Sequence, residues 1–168
     1  MYKKYRSYCK HPYPNTQNRA HSPMNTPSKN CYTGFMDHGP SPYVVNIEAA
    51  TLKNNTYRTA LWTGEHLQLT LMSIDVGSDI GLEMHPHTDQ FLRLEQGEGI
   101  VEMGPNKNTV TFRRKVCDNF AIFIPAGTWH NLINTGKTPL KLYAIYAPPE
   151  HPAGTIHETK EDALEDEH

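Results

Sequence analysis

Pro125-Ala126-Gly127-Thr128-Trp129-His130-Asn131-Leu132-Ile133-Asn134 is the most informative stretch of this 168-residue chain. A proline followed two residues later by a glycine makes a tight turn. The alternation behind it, with His130 and Leu132 on one face and Trp129 and Asn131 on the other, reads as a strand starting at that turn. An imidazole three residues past the turn glycine therefore sits at a set depth near one end of its sheet. The same texture repeats outward. Runs with period-two alternation or β-rich content occupy residues 57–62, 67–74, 80–85, 90–94, 100–103, 110–113, 120–124, 129–133 and 140–146. Gly64, Gly77, Gly97, Gly104-Pro105-Asn106 and Thr135-Gly136-Lys137 punctuate them. Short strands at this spacing, with no long helical period between them, predict an all-β sandwich or barrel and argue against a βαβ fold. Asn46 is a candidate cap for one helical turn over residues 47–50.

The flanks differ from this middle. Sixteen Lys and Arg stand against 18 Asp and Glu, a net charge of −2, without the basic excess expected of a nucleic-acid binder. No apolar run approaches the ~20 residues that span a bilayer. The opening MYKKYRSYCKHPYP has basic residues with no apolar stretch behind them, so it does not read as a secretory signal. Cys9, Cys31 and Cys117 are odd in number and lack metal-type spacing, which argues against a disulfide framework. A reduced, cytoplasmic protein with no nucleic-acid or membrane partner is the expectation. Residues 1–42 carry six basic residues against Asp37, six prolines and no branched aliphatics until Val44, and are predicted to be a largely disordered basic arm. Tyr2, Tyr5, Tyr8, Tyr13 and Tyr32 are unusual in such a tail and suit an adhesive, cross-linking or partner-docking arm. The composition is similar to tails of spore-coat-like proteins, which makes a spore or other surface layer the alternative location. At the other end, Thr159 caps a short, solvated acidic helix with Asp162 at its third position. The expected division is an arm over 1–42, a barrel over 43–150 and an extension over 151–168.

The opening stretch resembles a signature of the cupin superfamily, PxGxxHxxxN, with every fixed position matched by Pro125, Gly127, His130 and Asn134. The family usually starts this motif with a glycine six residues before the proline. Asn119 stands there, and asparagine also tolerates the left-handed backbone. The family's other motif, G(x)5HxH(x)3–4E(x)6G, has two registers here. Gly77, Glu83, His85, Gln90 and Gly97 fit every spacing, with Glu in place of the first His and Gln in place of the usual Glu. Glu83 and His85, two apart on a strand, share a face. Reading His85-Pro86-His87 as HxH instead puts Asp79 where glycine belongs and leaves only two residues between His87 and Gln90. Residues 59–66, 89–91, 124–131 and 146–152 carry a narrower likeness to small single-domain cupins called mannose-6-phosphate isomerase-like. Their His-Pro before Asp-Gln-Phe favours the first register. Over residues 44–149 the resemblance implies a double-stranded β-helix, the cupin jelly roll, with a divalent metal at its mouth. It also implies a homodimer, for which outward Phe91 and Trp129 are candidate contacts. It does not imply the isomerase activity.

The preferred register predicts a metal held by Glu83, His85, Gln90 and His130. The alternative register puts His87 in place of Glu83. Two imidazoles and a carboxylate with open positions suit iron(II), and manganese, zinc and nickel accept the same donors. Such a metal polarises carbonyls or activates oxygen. His87 is the candidate acid/base, and His66, Gln68 and Tyr146 are pocket candidates. Three functions compete: a metal-dependent isomerase or dioxygenase acting on a sugar, sugar phosphate or similar small molecule, a non-catalytic metal or sugar binder, and a structural cupin displayed by its Tyr-rich arm. A fold shared by many chemistries does not choose among them.

Overall fold

The structure, a computed structural model, describes residues 35–166. Everything expected of residues 1–34 lies outside the described residues. The chain forms α1 (Ile47–Lys53), β1 (Arg58–Thr63), β2 (Gln68–Ile74), β3 (Asp89–Gln96), β4 (Glu98–Gly104) and β5 (Phe112–Cys117). It continues through β6 (Ala121–Ile124), β7 (Trp129–Asn134), β8 (Leu140–Ala147), β9 (Ile156–His157) and α2 (Lys160–Asp166). All paired strands run antiparallel, in a six-stranded sheet ordered β6-β3-β8-β2-β1-β9 and a three-stranded sheet ordered β5-β4-β7. The two inner faces enclose one core. Leu92, Leu94, Leu142 and Ala144 of the large sheet meet Val101, Val116 and Leu132 of the small one. Alternation along β3 and β7 puts Gln90, Leu92, Leu94, His130 and Leu132 inside, as period-two reading requires. The fold is the all-β jelly roll that the motifs imply. Truncating one of these leucines to alanine costs about 2–5 kcal/mol.

Three local readings change. Residues 80–85 are not a continuous strand. Gly81 turns the chain at φ 86° with its N–H on Asp79 Oδ1, so the segment touches β7 through two separate bridges, Asp79–Ile133 and Glu83–His130. Arg113, Arg114 and Lys115 lie exposed on β5, an edge strand that pairs with β4 and keeps its charged side chains in solvent. Residues 35–42, assigned on sequence to the arm, belong to the packed body. Phe35 packs beside Ile47 on Leu61 and Leu71, under α1 and on the outer face of the large sheet. Helix α2 is not simply solvated. Thr159 and Asp162 cap it reciprocally, and Ala163 is buried in the main core. Asn119 adopts φ 68°, so the asparagine does supply the left-handed turn that glycine gives elsewhere in the motif. Among the described residues no helix is long and apolar enough to cross a membrane.

One carboxylate ties the chain's entry to its exit. Asp37 accepts from the N–H groups of Gly39, Thr63 and Gly154, each at 2.9 Å, and from Thr63 Oγ1 at 2.6 Å. Partial burial opposes its ionisation. The Thr63 hydroxyl and the three N–H groups outweigh that and hold its pKa below the usual carboxylate range. Such a group stabilises the fold above its unfolded pKa of about 3.9, and the contribution is lost as pH falls through the lower folded value. Asp37→Ala is expected to cost about 1–3 kcal/mol at neutral pH in urea denaturation. The gap from wild type should close in acid, and a gap independent of pH would refute this account.

Candidate metal centre

Backbone pairing brings the two motifs together. Glu83 N–H donates to His130 O at 3.0 Å, and His130 N–H donates to Glu83 O at 2.9 Å. This closed pair sets the side chains of Glu83 and His130 next to each other. Two residues on, the Gly127 N–H donates to His85 O at 2.8 Å, so the Pro125–Thr128 turn docks on the segment that carries His85. Gly127 takes φ 77° in that turn.

Three ligand atoms converge here. Glu83 Oε1 lies 3.2 Å from His130 Nε2 and 3.4 Å from His85 Nε2. One donor atom from each of the three residues falls within 4.8 Å of the others. The other nitrogen of each imidazole is committed elsewhere. His130 Nδ1 lies 2.9 Å from Thr128 O, and a carbonyl only accepts, so Nδ1 carries the hydrogen. His85 Nδ1 donates in the same way to Glu150 Oε1 at 3.0 Å. Unprotonated, both Nε2 atoms would aim lone pairs at a carboxylate oxygen, so the arrangement calls for a cation between them, either a metal ion or a proton on Nε2. The site's titration has the same sense. Burial alone would raise the Glu83 pKa, but bonds to His130 and His85 and the nearby Arg58 guanidinium hold it well below the carboxylate range. Burial likewise opposes charge on His85, yet Glu83 and Glu150 raise its pKa above the ordinary imidazole value. Two imidazoles and a carboxylate, pre-oriented by outer acceptors, fit a divalent metal.

The remaining expected residues divide. Gln90 is buried on the inner face opposite Tyr146, and its Oε1 has no hydrogen-bond partner. That leaves an amide oxygen available as a fourth donor. Tyr146 is fully buried, with its ring 5.7 Å from that of His85. Burial pushes its hydroxyl up to about 12. His87 is exposed, and it belongs neither to the three-residue group nor to the lining of the cleft above it. The structure therefore gives no support to the HxH register or to an acid/base role for His87. The reason is local: the chain turns at Pro86 after leaving its bridge to β7, so His87 falls outside the paired segment. His66 stands in solvent beside Glu65. Gln68 is buried but holds the backbone of His151 and does not line the cleft. Phe91 faces out, as expected, and packs on Phe123 and Tyr143. Trp129 lines the cleft mouth with Lys107 over its ring.

Sequence reasoning missed one wall of the cleft. The opening of about 780 Å³ reaches Glu83 and His85 and is closed on one side by Glu150, His151, His157 and Asp166. Residues 148–152, rich in proline, are held to the barrel at His151. The Gln68 amide grips the His151 N–H at 3.0 Å and its carbonyl at 2.9 Å. Arg58, 2% exposed, reaches Glu83 Oε2 at 4.0 Å and His157 Nδ1 at 3.5 Å. Asp166 on α2 holds His157 Nε2 at 2.8 Å. Only the histidines and acids of the exit segment hinted at this, and nothing in their spacing assigned a target.

Comparisons with known proteins agree with this fold. A family profile described as Cupin domain matches residues 70–146. The chain is 67% identical over 128 residues, 76% of its length and 69% of the relative's, to the Bacillus subtilis protein named Uncharacterized protein YrkC. It is 47% identical over 115 residues to Uncharacterized protein L612 of Acanthamoeba polyphaga mimivirus, covering 68% of this chain and 70% of that one. A crystal structure of a Bacillus halodurans protein superposes with a TM-score of 0.77 at 63% identity, covering 77% of this chain and 98% of that one.

Metal analysis by mass spectrometry checks the assignment. Wild type and His87→Ala are expected to carry near-stoichiometric divalent metal, and Glu83→Ala and His130→Ala to lose it. Loss in His87→Ala with retention in Glu83→Ala would move the site to the other register.

Proposed function

Since the chain belongs to the cupin superfamily, we propose that it is a metal-dependent enzyme whose cleft takes a small oxygenated molecule, such as a sugar, sugar phosphate or similar compound. The observation that supports this is the convergence of His85 Nε2, His130 Nε2 and Glu83 Oε1, with Glu83 and His85 also lining an open cleft. Glu83, His85 and His130 would hold the metal, with Gln90 as the fourth donor. Three or four protein donors leave open positions for a substrate oxygen. When bound there, iron, manganese, zinc or nickel would supply Lewis-acid or oxygen-activating chemistry, for an isomerisation or a dioxygenation respectively.

Burial first, then the Arg58 charge, lowers the His151 pKa to about 3, so this imidazole is neutral at physiological pH. Tyr146 keeps its proton. Both are fixed polar groups near the metal ligands, and neither is tuned to exchange protons near neutrality. Trp129, Lys107 and the Glu150–His151–Pro152 wall line a cleft of about 780 Å³, a volume that suits a small molecule. This arrangement favours activation by the metal over classical acid–base catalysis.

The test uses the full chain loaded in turn with iron(II), manganese(II), zinc(II) and nickel(II). Sugars, sugar phosphates and small hydroxy and oxo acids are followed by NMR, with and without oxygen. Turnover of one class by wild type and none by Glu83→Ala is the expected result. A metal-loaded protein that binds a member of the panel without converting it would make the chain a binder. A protein that takes up no metal would overturn the reading altogether.

A further inference from the structure

The two imidazoles of the centre are held in different ways. His130 is positioned within its own turn, by Thr128 two residues away. His85 is positioned by Glu150, which follows β8 and lies beyond the matched cupin residues 70–146. The contact is short, 3.0 Å from Glu150 Oε1 to His85 Nδ1, with the His85 side chain 10% exposed and that of Glu150 28%. Glu150 is itself anchored. Pro148 and Pro149 precede it and Pro152 follows. The peptide of the next residue, His151, is gripped at both its N–H and its carbonyl by the buried Gln68 amide. A carboxylate on such a segment can select one tautomer of the imidazole and fix its ring angle. The other nitrogen then points at Glu83.

We propose that Glu150 is a positioning residue for the metal centre: its carboxylate holds His85 through Nδ1 and keeps the Nε2 lone pair aimed at the metal, so the segment after the barrel helps set metal affinity. This rests on the metal-binding reading above. Carboxylate partners of metal-bound histidine raise ligand basicity and fix orientation, and their loss typically weakens binding 10–100-fold. The Gln68 clamp on His151 fixes the backbone next to Glu150, as a carboxylate that is to select a ring angle requires.

Cobalt(II) serves as the probe, because its visible spectrum reports the ligand field and its dissociation constant can be read by chelator competition. Four full-length proteins are compared: wild type, Glu150→Gln, Glu150→Ala and His85→Ala. Expected are binding about 10-fold weaker in Glu150→Gln and up to about 100-fold weaker in Glu150→Ala. The cobalt bands should shift in both, while the metal-free proteins unfold as wild type does. His85→Ala should lose more than either. Wild-type affinity and spectrum in both Glu150 variants, with binding lost in His85→Ala, would overturn the role of Glu150 and leave the metal centre standing. Failure of wild type to bind cobalt(II) would overturn the centre and this role with it. Should Glu150→Ala fail to fold, the near-isosteric Glu150→Gln decides alone.

Discussion

The reciprocal backbone pair between Glu83 and His130 is the constraint on which the rest of the site depends. Two hydrogen bonds of 3.0 and 2.9 Å join an irregular segment to β7, an edge strand of the small sheet. An isolated bridge of this kind contributes little to stability compared with the long ladders of β3 and β8 or β2 and β8. Its value is geometric. It fixes a carboxylate against an imidazole, and the chain then has only two residues in which to bring His85 alongside. Gly81, turned by Asp79, and Gly127, turned after Pro125, allow the two approaches.

Electrostatics follows from that placement. A half-exposed carboxylate would be indifferent to its neighbours, but Glu83 is shielded and faces two imidazole nitrogens. Leaving a buried charge without a partner is costly. Arg58 offsets part of the Glu83 charge from 4.0 Å and is in turn held in a chain through His157 to Asp166. The extension after the barrel is thus part of the site on two sides: Glu150 touches His85, and His157 reaches toward Glu83 through Arg58. Asp37, bound to Gly154 and Thr63, fastens the same extension to the start of the packed body.

Much of this was legible in the chain itself. The alternation of β3 and β7 placed Gln90, Leu92, His130 and Leu132 inside, and motif spacing singled out Glu83, His85 and His130. Asn119 announced a left-handed turn, and Thr159 with Asp162 announced a cap. Other readings failed for identifiable reasons. The run over 80–85 has a strand's composition, but the Asp79–Gly81 turn interrupts its ladder. His66 and Gln68 were placed by adjacency to a strand, and a single polar residue at a strand end does not reveal which way it turns. Phe35 looked like part of a polar arm because its apolar partners, Leu61 and Leu71, are distant in the chain.

The sequence alone determined the all-β architecture, the cupin motifs, the face each strand turns inward and the three residues that converge on one point. These are local properties, carried by a period of two and by fixed spacings around proline and glycine. The tertiary structure alone decided that Glu150 meets His85, that Arg58 stands beside Glu83 and that His87 stays outside. Arg58 and His157 are 99 residues apart, and Gln68 and His151 are 83 apart. Periodicity tells a side chain which face to take. It does not tell a lone carboxylate or imidazole in an exit segment which distant partner it will meet once the sheets have closed on their core.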